Sequence, residues 1–322
     1  MTATRVCCVW LLLLMAMPGI ACELTAPTPL VQFGSVSSLT VNTAPQQSSA
    51  QPHAGITCDF VSVLSVLSGD KVSVRFTSHG AGQMKTKADS ESSLAYQIFA
   101  DSALSFKYEF DQTYNFFDAG LIELFDLFGK SAEFPLYVRT QANSNLSAGV
   151  YTDHITVSWG WDYCVVSVGE ICIGNNSGSA QSTITLELTV TPDCIITAPD
   201  LNFGTAPLVA GFDPVNQTIS LTCTKGSVYT VGLSDGQNSV SGQRRMAFGS
   251  DYLAYEIYKS SGTDRWGSTN GERRGSGDAD GGAGSPNGIT PQTFNYSATI
   301  LTDQATPPPG IYKDSIVVDV QF

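Results

Sequence analysis

Cysteine is the residue type in this chain whose spacing points most directly to a chemistry. Eight cysteines occur, and they show none of the paired Cys-x-x-Cys or Cys/His spacings that hold zinc. An even number of widely spaced cysteines in an exported chain indicates disulfides. Two of the eight lie within the first 21 residues, which leaves six for three disulfides: Cys22, Cys58, Cys164, Cys172, Cys194 and Cys223.

The other chemically reactive side chains form no catalytic or metal-binding pattern. His53, His79 and His154 are far apart in sequence, and no Gly-x-Ser-x-Gly nucleophile motif is present. Asp278 and Asp280 resemble the start of a calcium loop, but its further acidic ligands are missing. A cysteine nucleophile is not expected if all six cysteines pair. We therefore expect no enzyme activity, no metal and no cofactor.

The composition is that of a folded, acidic chain. Of the 322 residues, 42% are hydrophobic and 14% are charged, and the formal net charge is −13. This is apolar enough for sizeable cores, and it offers no broad basic surface for nucleic acid. The positive charges concentrate in one region, where we expect a solvated loop face, with contact to a neighbouring subunit as the alternative: Arg244, Arg245, Arg265, Arg273 and Arg274.

Residues 1–21 have the pattern of a targeting segment. Arg5 is their only charge, an apolar run continues to Met17, and small residues precede Cys22. This pattern predicts a secretory signal peptide that is cleaved before Cys22, and the apolar run is too short to favour a membrane span. Lipidation of Cys22 is the less favoured alternative, because it would leave an odd number of thiols.

The remaining chain contains two divergent copies of one domain. Matching motifs follow the same order in both copies: Phe-Gly at 33–34 and 203–204, Thr-Cys at 57–58 and 222–223, Leu-Ala-Tyr at 94–96 and 253–255, and Gly-x-Tyr-x-Asp at 149–153 and 310–314. Four ordered matches at similar offsets indicate a duplication. We therefore expect an N-terminal domain at 22–190, a linker at 191–193 and a C-terminal domain at 194–322.

Each copy has the local pattern of β-strands. Alternating runs of Val, Ile, Thr and aromatic residues occur at 72–76, 155–159, 183–190 and 229–233, and turns rich in Gly, Asn and Asp separate them. Short alternating runs of this kind predict an all-β fold of two immunoglobulin-like antiparallel β-sandwiches. Residues 118–129 are the exception, where a short helix and an apolar loop remain alternatives.

The repeat selects one of the fifteen pairings that six cysteines allow. Cys22–Cys58 and Cys194–Cys223 occupy matching positions in the two copies and would join the first strand of each sandwich to the second. Cys164–Cys172 then remains and would close a small hairpin.

These motifs resemble the spore coat U domain family, the subunit domain of archaic, Csu-like chaperone–usher pili. The match is best in the second copy, where the family's order is followed by Cys194, Phe203-Gly204, Thr222-Cys223, Arg265-Trp266-Gly267 and the motif at 310–314. A divergent first domain before a pilin-like second domain resembles the tip adhesin of such pili. The resemblance implies export through the periplasm to the pilus tip, surface attachment and biofilm formation. It implies three protein partners: a periplasmic chaperone, an outer-membrane usher and an adjacent pilus subunit.

By internal comparison, the C-terminal sandwich lacks its last strand. After its Gly-x-Tyr-x-Asp motif the first copy continues through strand 155–161, the Cys164–Cys172 hairpin and strand 182–190, whereas the second copy stops at Phe322. A sandwich without an edge strand exposes an apolar groove and unpaired backbone groups. We expect the alternate residues of the last strand to line this groove: Ile316, Val318, Val320 and Phe322. The alternative is a complete but slightly small sandwich.

The predicted groove would bind an extended segment of another chain as an added strand. The resemblance implies a chaperone strand first and the N-terminal strand of the next subunit afterwards. Spanning a groove takes roughly 8 residues, and the predicted cleavage site leaves no such segment before Cys22. We therefore expect this chain to accept a strand without donating one, and so to terminate a fibre.

Apolar segments of the first copy without a counterpart in the second are candidates for contact with an abiotic or host surface. Csu-like tips resemble fingers with hydrophobic ends, and contiguous exposed apolar patches mark contact sites. The candidate residues are Val165, Val166, Val168 and Ile171 in the hairpin, with Phe116, Phe117, Leu121 and Ile122 in segment 114–128. The alternative is that these side chains fill the core, which is the favoured interpretation for residues 60–67.

Two other functions remain open from the sequence. A glycan-binding tip would use Trp159, Trp161 and Tyr163 as stacking platforms in a polar pocket. A structural coat protein would have no adhesive role. Replacing the three hairpin valines with aspartate would separate the hydrophobic tip from the glycan-binding tip, because only the hydrophobic tip would lose attachment to plastic.

Overall fold

The computed structural model shows an almost entirely β-stranded chain, as the alternating runs predict. It describes residues 22–25, 29–48, 53–57, 69–115, 131–142, 145–168, 171–269 and 271–322. None of the helices within these ranges is long and apolar enough to cross a membrane.

The N-terminal half, residues 22–191, has one short helix and twelve strands among its described residues. The helix, α1, spans Ser38–Thr43, and the Ser37 side chain caps it by accepting a hydrogen bond from the Thr40 backbone at 3.2 Å. The strands are β1 Glu23–Thr25, β2 Leu30–Ser37, β3 His53–Thr57, β4 Lys71–Ser78, β5 Gln83–Thr86, β6 Ser93–Phe99, β7 Lys107–Tyr108, β8 Thr113–Asn115, β9 Ser131–Pro135, β10 Tyr137–Thr140, β11 Gly149–Val168 and β12 Ile171–Thr191.

The C-terminal half, residues 194–322, has eight strands and two 3-10 turns among its described residues. The turns span Val209–Gly211 and Ser276–Asp278. The strands are β13 Cys194–Thr197, β14 Val215–Cys223, β15 Thr230–Leu233, β16 Arg244–Phe248, β17 Asp251–Lys259, β18 Arg274–Gly275, β19 Gln292–Ile300 and β20 Val318–Gln321.

Each half folds as two sheets around its own hydrophobic core. In the N-terminal half, β1-β3-β9 face a larger sheet that runs in the order β10-β6-β5-β11-β12-β2, while β4 pairs with β11 and β8, and β7 pairs with β6. In the C-terminal half, β13-β14-β19-β17-β16 face β18-β15-β20. Among the described strands the pairing is antiparallel except between β2 and β12, which run parallel, so the wholly antiparallel sandwich that we predicted is corrected at this edge.

The alternating sequence explains which side chains reach the cores. On β4, Val72, Val74 and Phe76 are buried while the residues between them point outward. The N-terminal core and the C-terminal core form separate clusters, and the second is built around Trp266 and Phe294. Two cores in one chain are what the internal repeat predicts.

The repeated motifs meet in space at equivalent places. In the N-terminal half, the Tyr96 hydroxyl donates to the Asp153 carboxylate at 2.6 Å, and in the C-terminal half the Tyr255 hydroxyl donates to Asp314 at 2.8 Å. In each half, the tyrosine of the Leu-Ala-Tyr motif is thus the hydrogen-bond donor and the aspartate of the Gly-x-Tyr-x-Asp motif is the acceptor. Burial, followed by the hydrogen bond to the carboxylate, raises the pKa of both tyrosines and keeps them as neutral donors.

A second pair of tyrosines fixes the corner that precedes each strand of this motif. The Tyr151 hydroxyl donates to the Ser147 carbonyl at 2.9 Å, and the Tyr312 hydroxyl donates to the Pro308 carbonyl at 2.7 Å. Both bonds reach four residues back along the chain. Such tyrosine corners are a feature of immunoglobulin-like sandwiches.

The predicted solvated face of arginines is wrong, because Arg244 is fully buried. Its guanidinium pairs with Glu256 and donates to the backbone carbonyl of Trp266 at 2.8 Å. Arg265 bridges three carboxylates around it: Asp235, Glu256 and Glu272. A guanidinium tolerates burial when all its donors are paired, and the sequence does not reveal these partners because they lie on different strands and loops.

Strands β11 and β12 form one continuous hairpin instead of two strands joined by a small separate hairpin. They span 20 and 21 residues and pair from Gly149–Val190 to Val168–Ile171. Beyond Asp162, β11 pairs with β12 alone among the described strands. The Cys164–Cys172 disulfide crosses this end of the hairpin.

The structure contains a second predicted disulfide, which joins the first two strands of the C-terminal half. Cys194 and Cys223 are directly opposite on β13 and β14. Cys22 is itself disulfide-bonded, and its predicted partner Cys58 lies outside the described residues.

The two halves are joined by polar contacts as well as by the chain. Side-chain bonds across the junction include Lys225–Asp89 at 2.8 Å, Ser38–Thr224 at 2.6 Å and Asn145–Asn287 at 2.8 Å, and Ser147 and Lys225 form a backbone bridge there. The Ser38–Thr224 pair is buried. These contacts hold the end of β14 against α1 and the turns of the N-terminal half.

Candidate functional site

One concave feature of the C-terminal half is a cleft lined by both apolar and polar side chains, here called the acceptor cleft. It is defined by residues 198–203 on one wall and residues 311–316 with Val318 on the other, and its volume is about 630 Å³. Its floor is the hydrophobic core itself, and the buried side chains of Ile219, Leu233 and Ile257 are among the residues that line it. A cavity of this size and depth is in the range that holds ligands in other proteins.

No backbone hydrogen bond joins the two walls, residues 198–204 and residues 311–318, both of which the structure describes in full. On its far side the second wall is held by the Lys313–Ala247 bridge and by β20, which pairs with β15 only. The backbone of this wall that faces the cleft therefore has no strand partner among the described residues, and an unpaired edge of this kind is a template for a further strand.

The N-terminal half shows what fills the corresponding place. There β12 lies between β11 and β2, antiparallel to β11 and parallel to β2. By the repeated motifs, β11 corresponds to residues 310–322 and β2 to the segment around Phe203. The acceptor cleft is thus the place of β12 without a strand in it.

Matched residues of the two halves differ in burial, as expected if β12 covers them in one half and no strand covers them in the other. Ile155 and Val157 on β11 are 1% and 0% exposed. Their counterparts Ile316 and Val318 are only half-buried and line the acceptor cleft. On the opposite wall, Phe203 is likewise half-buried, whereas its counterpart Phe33 is buried.

The four residues predicted to line the groove do not all do so. Ile316 and Val318 line the acceptor cleft. Val320 packs against the core where β20 pairs with Val231 of β15. Phe322 is 55% exposed, with its ring 6.4 Å from that of Tyr229. The strand passes beyond the end of the cleft at this point, so its last residues do not border the cleft.

A smaller apolar pocket, here called the prolyl pocket, continues the acceptor cleft at one end. Its volume is about 160 Å³, and Tyr312 lines both cavities. The other lining side chains are mainly apolar and come from two loops and β17, among them Pro307, Pro308, Pro309, Leu208, Phe212 and Leu253.

Sequence reasoning missed the wall formed by residues 198–203 and the whole prolyl pocket. The repeat contained the signal for the first, because Phe203 matches Phe33 and Phe33 lies on the strand next to β12. The prolyl pocket had no local signal, because its lining comes from loops that are distant in the sequence.

The end of the β11–β12 hairpin is the second candidate site. Val165, Val166 and Val168 lie on β11 at this end, and Ile171 begins β12 with 69% of its surface exposed. The other predicted surface residues, Phe116, Phe117, Leu121 and Ile122, lie outside the described residues, as do residues 60–67.

The aromatic residues of the glycan-binding alternative are not arranged as a stacking platform. Trp159 and Tyr163 are each 2% exposed. The Trp161 indole lies so close to Gly178 that a Cβ there would come within 2.5 Å of the ring. These rings are therefore part of the hairpin's own packing.

The chemically reactive residues form no further site among those described. No group of three or more His, Cys, Asp or Glu side chains that could hold a metal ion occurs in this part of the chain. His79 and His154, distant in sequence, have ring centroids 6.4 Å apart, and each ring bonds to a threonine hydroxyl. Asp280, considered for calcium, pairs with Arg274 and accepts from the Ser260 hydroxyl.

Comparison with known proteins places these features in a family. The model of the Spore Coat Protein U domain matches residues 11–158 and 180–319, which correspond to the two copies of the repeat. No curated protein matches the chain.

Similar solved structures include a chain of the CsuC–CsuE chaperone–tip adhesion subunit pre-assembly complex from the archaic chaperone–usher Csu pili of Acinetobacter baumannii. The identity is 26%, the TM-score is 0.58, and the match covers 94% of this chain and 100% of that chain. The CupB6 tip adhesin of Pseudomonas aeruginosa is more distant, at 10% identity and a TM-score of 0.31 over 88% of this chain and 89% of that chain. The CfaE adhesive subunit of Escherichia coli matches 53% of this chain and 49% of its own at 12% identity and a TM-score of 0.31. The family model covers most of both halves, and this chain belongs to the Spore Coat Protein U domain family.

Proposed function

We propose that the protein is the tip adhesin of a chaperone–usher pilus. The C-terminal half accepts a strand from another subunit in the acceptor cleft, and the N-terminal half binds a surface through the end of the β11–β12 hairpin. The observation that carries the proposal is the acceptor cleft, which lies where the N-terminal half holds β12. No chemical reaction belongs to this function.

The physical basis of strand acceptance is an incomplete core beside a free strand edge. The half-buried side chains of Ile316, Val318 and Phe203 would gain full burial under an added strand. Fully burying one aliphatic side chain contributes about 1.5–3 kcal/mol. Main-chain hydrogen bonds to the free edge would add affinity, and the cleft would select alternate side chains.

The partners follow from the similarity to the CsuC–CsuE complex, which pairs a chaperone with a tip adhesion subunit. In the proposed sequence of events, a periplasmic chaperone supplies the first strand. An outer-membrane usher then exchanges it for the strand of an adjacent subunit. The protein would thereby be exported through the periplasm and held at the pilus tip on the cell surface.

The proposed surface contact rests on the exposed Ile171 at the end of the hairpin and on the predicted contact role of Val165, Val166 and Val168. Ile171 is 69% exposed beside the Cys164–Cys172 disulfide, which stiffens this end. An exposed apolar side chain at a stiffened hairpin end suits attachment to an abiotic or host surface and biofilm formation. Binding of a glycan through Trp159 and Tyr163 is disfavoured, because both rings are buried.

The acceptor cleft is tested by co-purification of the protein with its chaperone from the periplasm. The double variant Ile316→Asp and Val318→Asp places charges on the cleft wall and should lose the chaperone. Val317→Asp is the matched control, because Val317 lies between them, is 63% exposed and points away from the cleft. Equal recovery of the chaperone with both variants would contradict strand acceptance at this cleft.

The surface contact is tested by attachment of piliated cells to polystyrene. The variant with Val165, Val166 and Val168 all replaced by Asp should lose most attachment while pili are still assembled. Ile289→Asp is the control, because Ile289 is 72% exposed in the C-terminal half and away from the hairpin. Unchanged attachment of the triple variant would exclude the hairpin end as the contact.

A further inference from the structure

The N-terminal half contains a template for the strand that the acceptor cleft binds. Four side chains of β12 alternate into the N-terminal core and are at most 2% exposed: Ile184, Leu186, Leu188 and Val190. They lie opposite four residues of β11: Ile155, Asp153, Tyr151 and Gly149. The register of this pairing can be carried to the C-terminal half, because the motif at 149–153 matches the motif at 310–314.

The transferred register places the fourth side chain of the incoming strand at the prolyl pocket. Counterparts of the four β11 residues are Ile316, Asp314, Tyr312 and Gly310. The first three line the acceptor cleft, while Gly310 lines the prolyl pocket and Tyr312 lines both. The prolyl pocket is therefore the place where the side chain equivalent to Val190 of β12 would bind.

The surroundings of Val190 support this correspondence. In the N-terminal half, α1 packs against β12, and Val41 and Leu146 are buried in the same core cluster. The 3-10 turn Val209–Gly211 follows the Phe-Gly motif as α1 does, and Pro307 stands where Leu146 stands before the repeated corner. Val209 and Pro307 both line the prolyl pocket.

The pocket is larger than a valine side chain requires. Its volume is about 160 Å³, and an engineered cavity of about 150 Å³ in another protein accommodates benzene. Prolines have no backbone N–H group, so Pro307, Pro308 and Pro309 offer no main-chain donors to a neighbouring strand. With fewer main-chain donors at this end, an apolar side chain that fills the pocket supplies much of the recognition there.

A positive charge at the rim of the acceptor cleft predicts an acidic residue on the incoming strand. On β12, Glu187 lies opposite Thr152 of β11. The counterpart of Thr152 is Lys313, which is exposed at the rim of the acceptor cleft. A carboxylate at this position of an incoming strand would face the lysine, and opposite charges directly across a pair of strands are favourable.

We infer that the prolyl pocket is the specificity site of the acceptor cleft. The pocket binds an aliphatic or aromatic side chain larger than valine. This side chain is the last of four alternating apolar residues on an incoming strand that runs antiparallel to residues 310–318. The same strand carries an acidic residue opposite Lys313. The inference rests on the proposed strand acceptance and names the chemistry of its partner.

The first test uses ten-residue peptides with the sequence of residues 182–191, labelled at the N-terminus and titrated with the full-length protein by fluorescence anisotropy. Relative to the native sequence, the peptide carrying Val190→Leu should bind about fourfold tighter, which is the ratio for one added buried methylene. The peptide carrying Val190→Asp should bind more than tenfold weaker. A leucine peptide that binds no tighter than the valine peptide would overturn the inference.

A matched pair of protein variants assigns the effect to the pocket. Leu208 lines the prolyl pocket and is 61% exposed, so Leu208→Asp should fold and should abolish the preference for leucine over valine. Ile289→Asp, at a similarly exposed position outside the pocket, should keep the fourfold preference. A preference retained in Leu208→Asp would exclude the pocket as its source.

A disulfide trap tests the register separately from binding. Ser315 is the exposed counterpart of His154, which lies opposite Thr185 of β12. The Ser315→Cys protein should therefore cross-link to a peptide with Thr185→Cys, and much less to peptides with Thr183→Cys or Glu187→Cys. Preferred cross-linking to either shifted peptide would overturn the inference while leaving strand acceptance intact. If no peptide binds at all, strand acceptance itself fails.

Discussion

The two halves of this protein share the same ordered motifs, and among the described residues only the N-terminal half has a strand at the place of the acceptor cleft. Tyr96 and Asp153 in one half make the bond that Tyr255 and Asp314 make in the other. The N-terminal half holds β12 between β11 and β2, and the C-terminal half has the acceptor cleft there. The comparison separates what the repeated motifs build from what the extra strand adds.

The extra strand determines how deeply the shared side chains are buried. The same alternating pattern occurs at Ile155 and Val157 and at Ile316 and Val318, yet only the first pair is fully buried. A strand contributes backbone partners and a layer of side chains together, so its absence leaves both an edge and a cleft.

The largest expected change in stability comes from placing a charged side chain on the buried face of β12. Leu188 on β12 is 0% exposed, and Leu188→Asp should destabilise the N-terminal half by more than about 4 kcal/mol, because the carboxylate would be buried without a partner. Denaturant unfolding can be followed separately in the two halves, by Trp159 and Trp161 in the first and Trp266 in the second. Thr189→Asp, on the outward side of β12, should cost far less, and equal losses would contradict the assignment of β12 to the core.

The next largest effect is the difference in unfolding free energy between isoleucine-to-alanine substitutions at matched positions of the two halves. Ile155→Ala should cost about 2–5 kcal/mol, the range for a fully buried isoleucine. Ile316→Ala should cost about 1 kcal/mol, because this side chain is half-buried at the cleft. The measurement is the free energy of unfolding of each half. Equal costs would mean that the C-terminal core is as closed as the N-terminal core.

A third pair of variants should lower the stability of the two halves by similar amounts. Tyr96→Phe and Tyr255→Phe each remove a hydrogen bond to a carboxylate, which contributes about 1.5–3 kcal/mol. We expect similar losses in the two halves, measured by amide hydrogen exchange of each half, because the bonds are 2.6 and 2.8 Å long. A loss confined to one half would show that the repeated motif has diverged in its energetics.

The smallest effect concerns the junction between the halves. The hydrogen bond from Lys225, followed by that from Ser92, lowers the pKa of Asp89 below its ordinary value of 3.8. The folded state then binds this proton less readily than the unfolded state. The stabilisation is therefore present above pH 3.8 and is lost as the pH falls through the lower, folded-state pKa.

Lys225→Met should make the acid-induced fall in the thermal midpoint shallower between about pH 5 and pH 2. Lys107→Met is the control, because Lys107 forms an exposed ion pair with Glu109 within the N-terminal half and should leave the acid profile unchanged. Identical profiles for Lys225→Met and the unaltered chain would show that the junction pair does not contribute.

Much of the architecture could be predicted from local patterns. The alternation at 72–76 predicts β4, and the ordered motifs predict two cores and the opposed Cys194 and Cys223. These features follow from the two-residue period of a strand and from internal matching, which need no knowledge of distant contacts. The arginines show the limit, because Arg244 is buried by partners on other strands.

The sequence by itself determined which face of each strand is apolar and that one domain occurs twice, because periodicity and repetition are properties of the chain alone. Tertiary structure decided that Ile316 and Val318 border a cleft while Val320 packs against the core beside Val231, and that four prolines and Leu208 help to form a pocket at the end of the cleft. The physical reason is that burial depends on the strands and loops that lie alongside, and these neighbours come from parts of the chain far away in sequence.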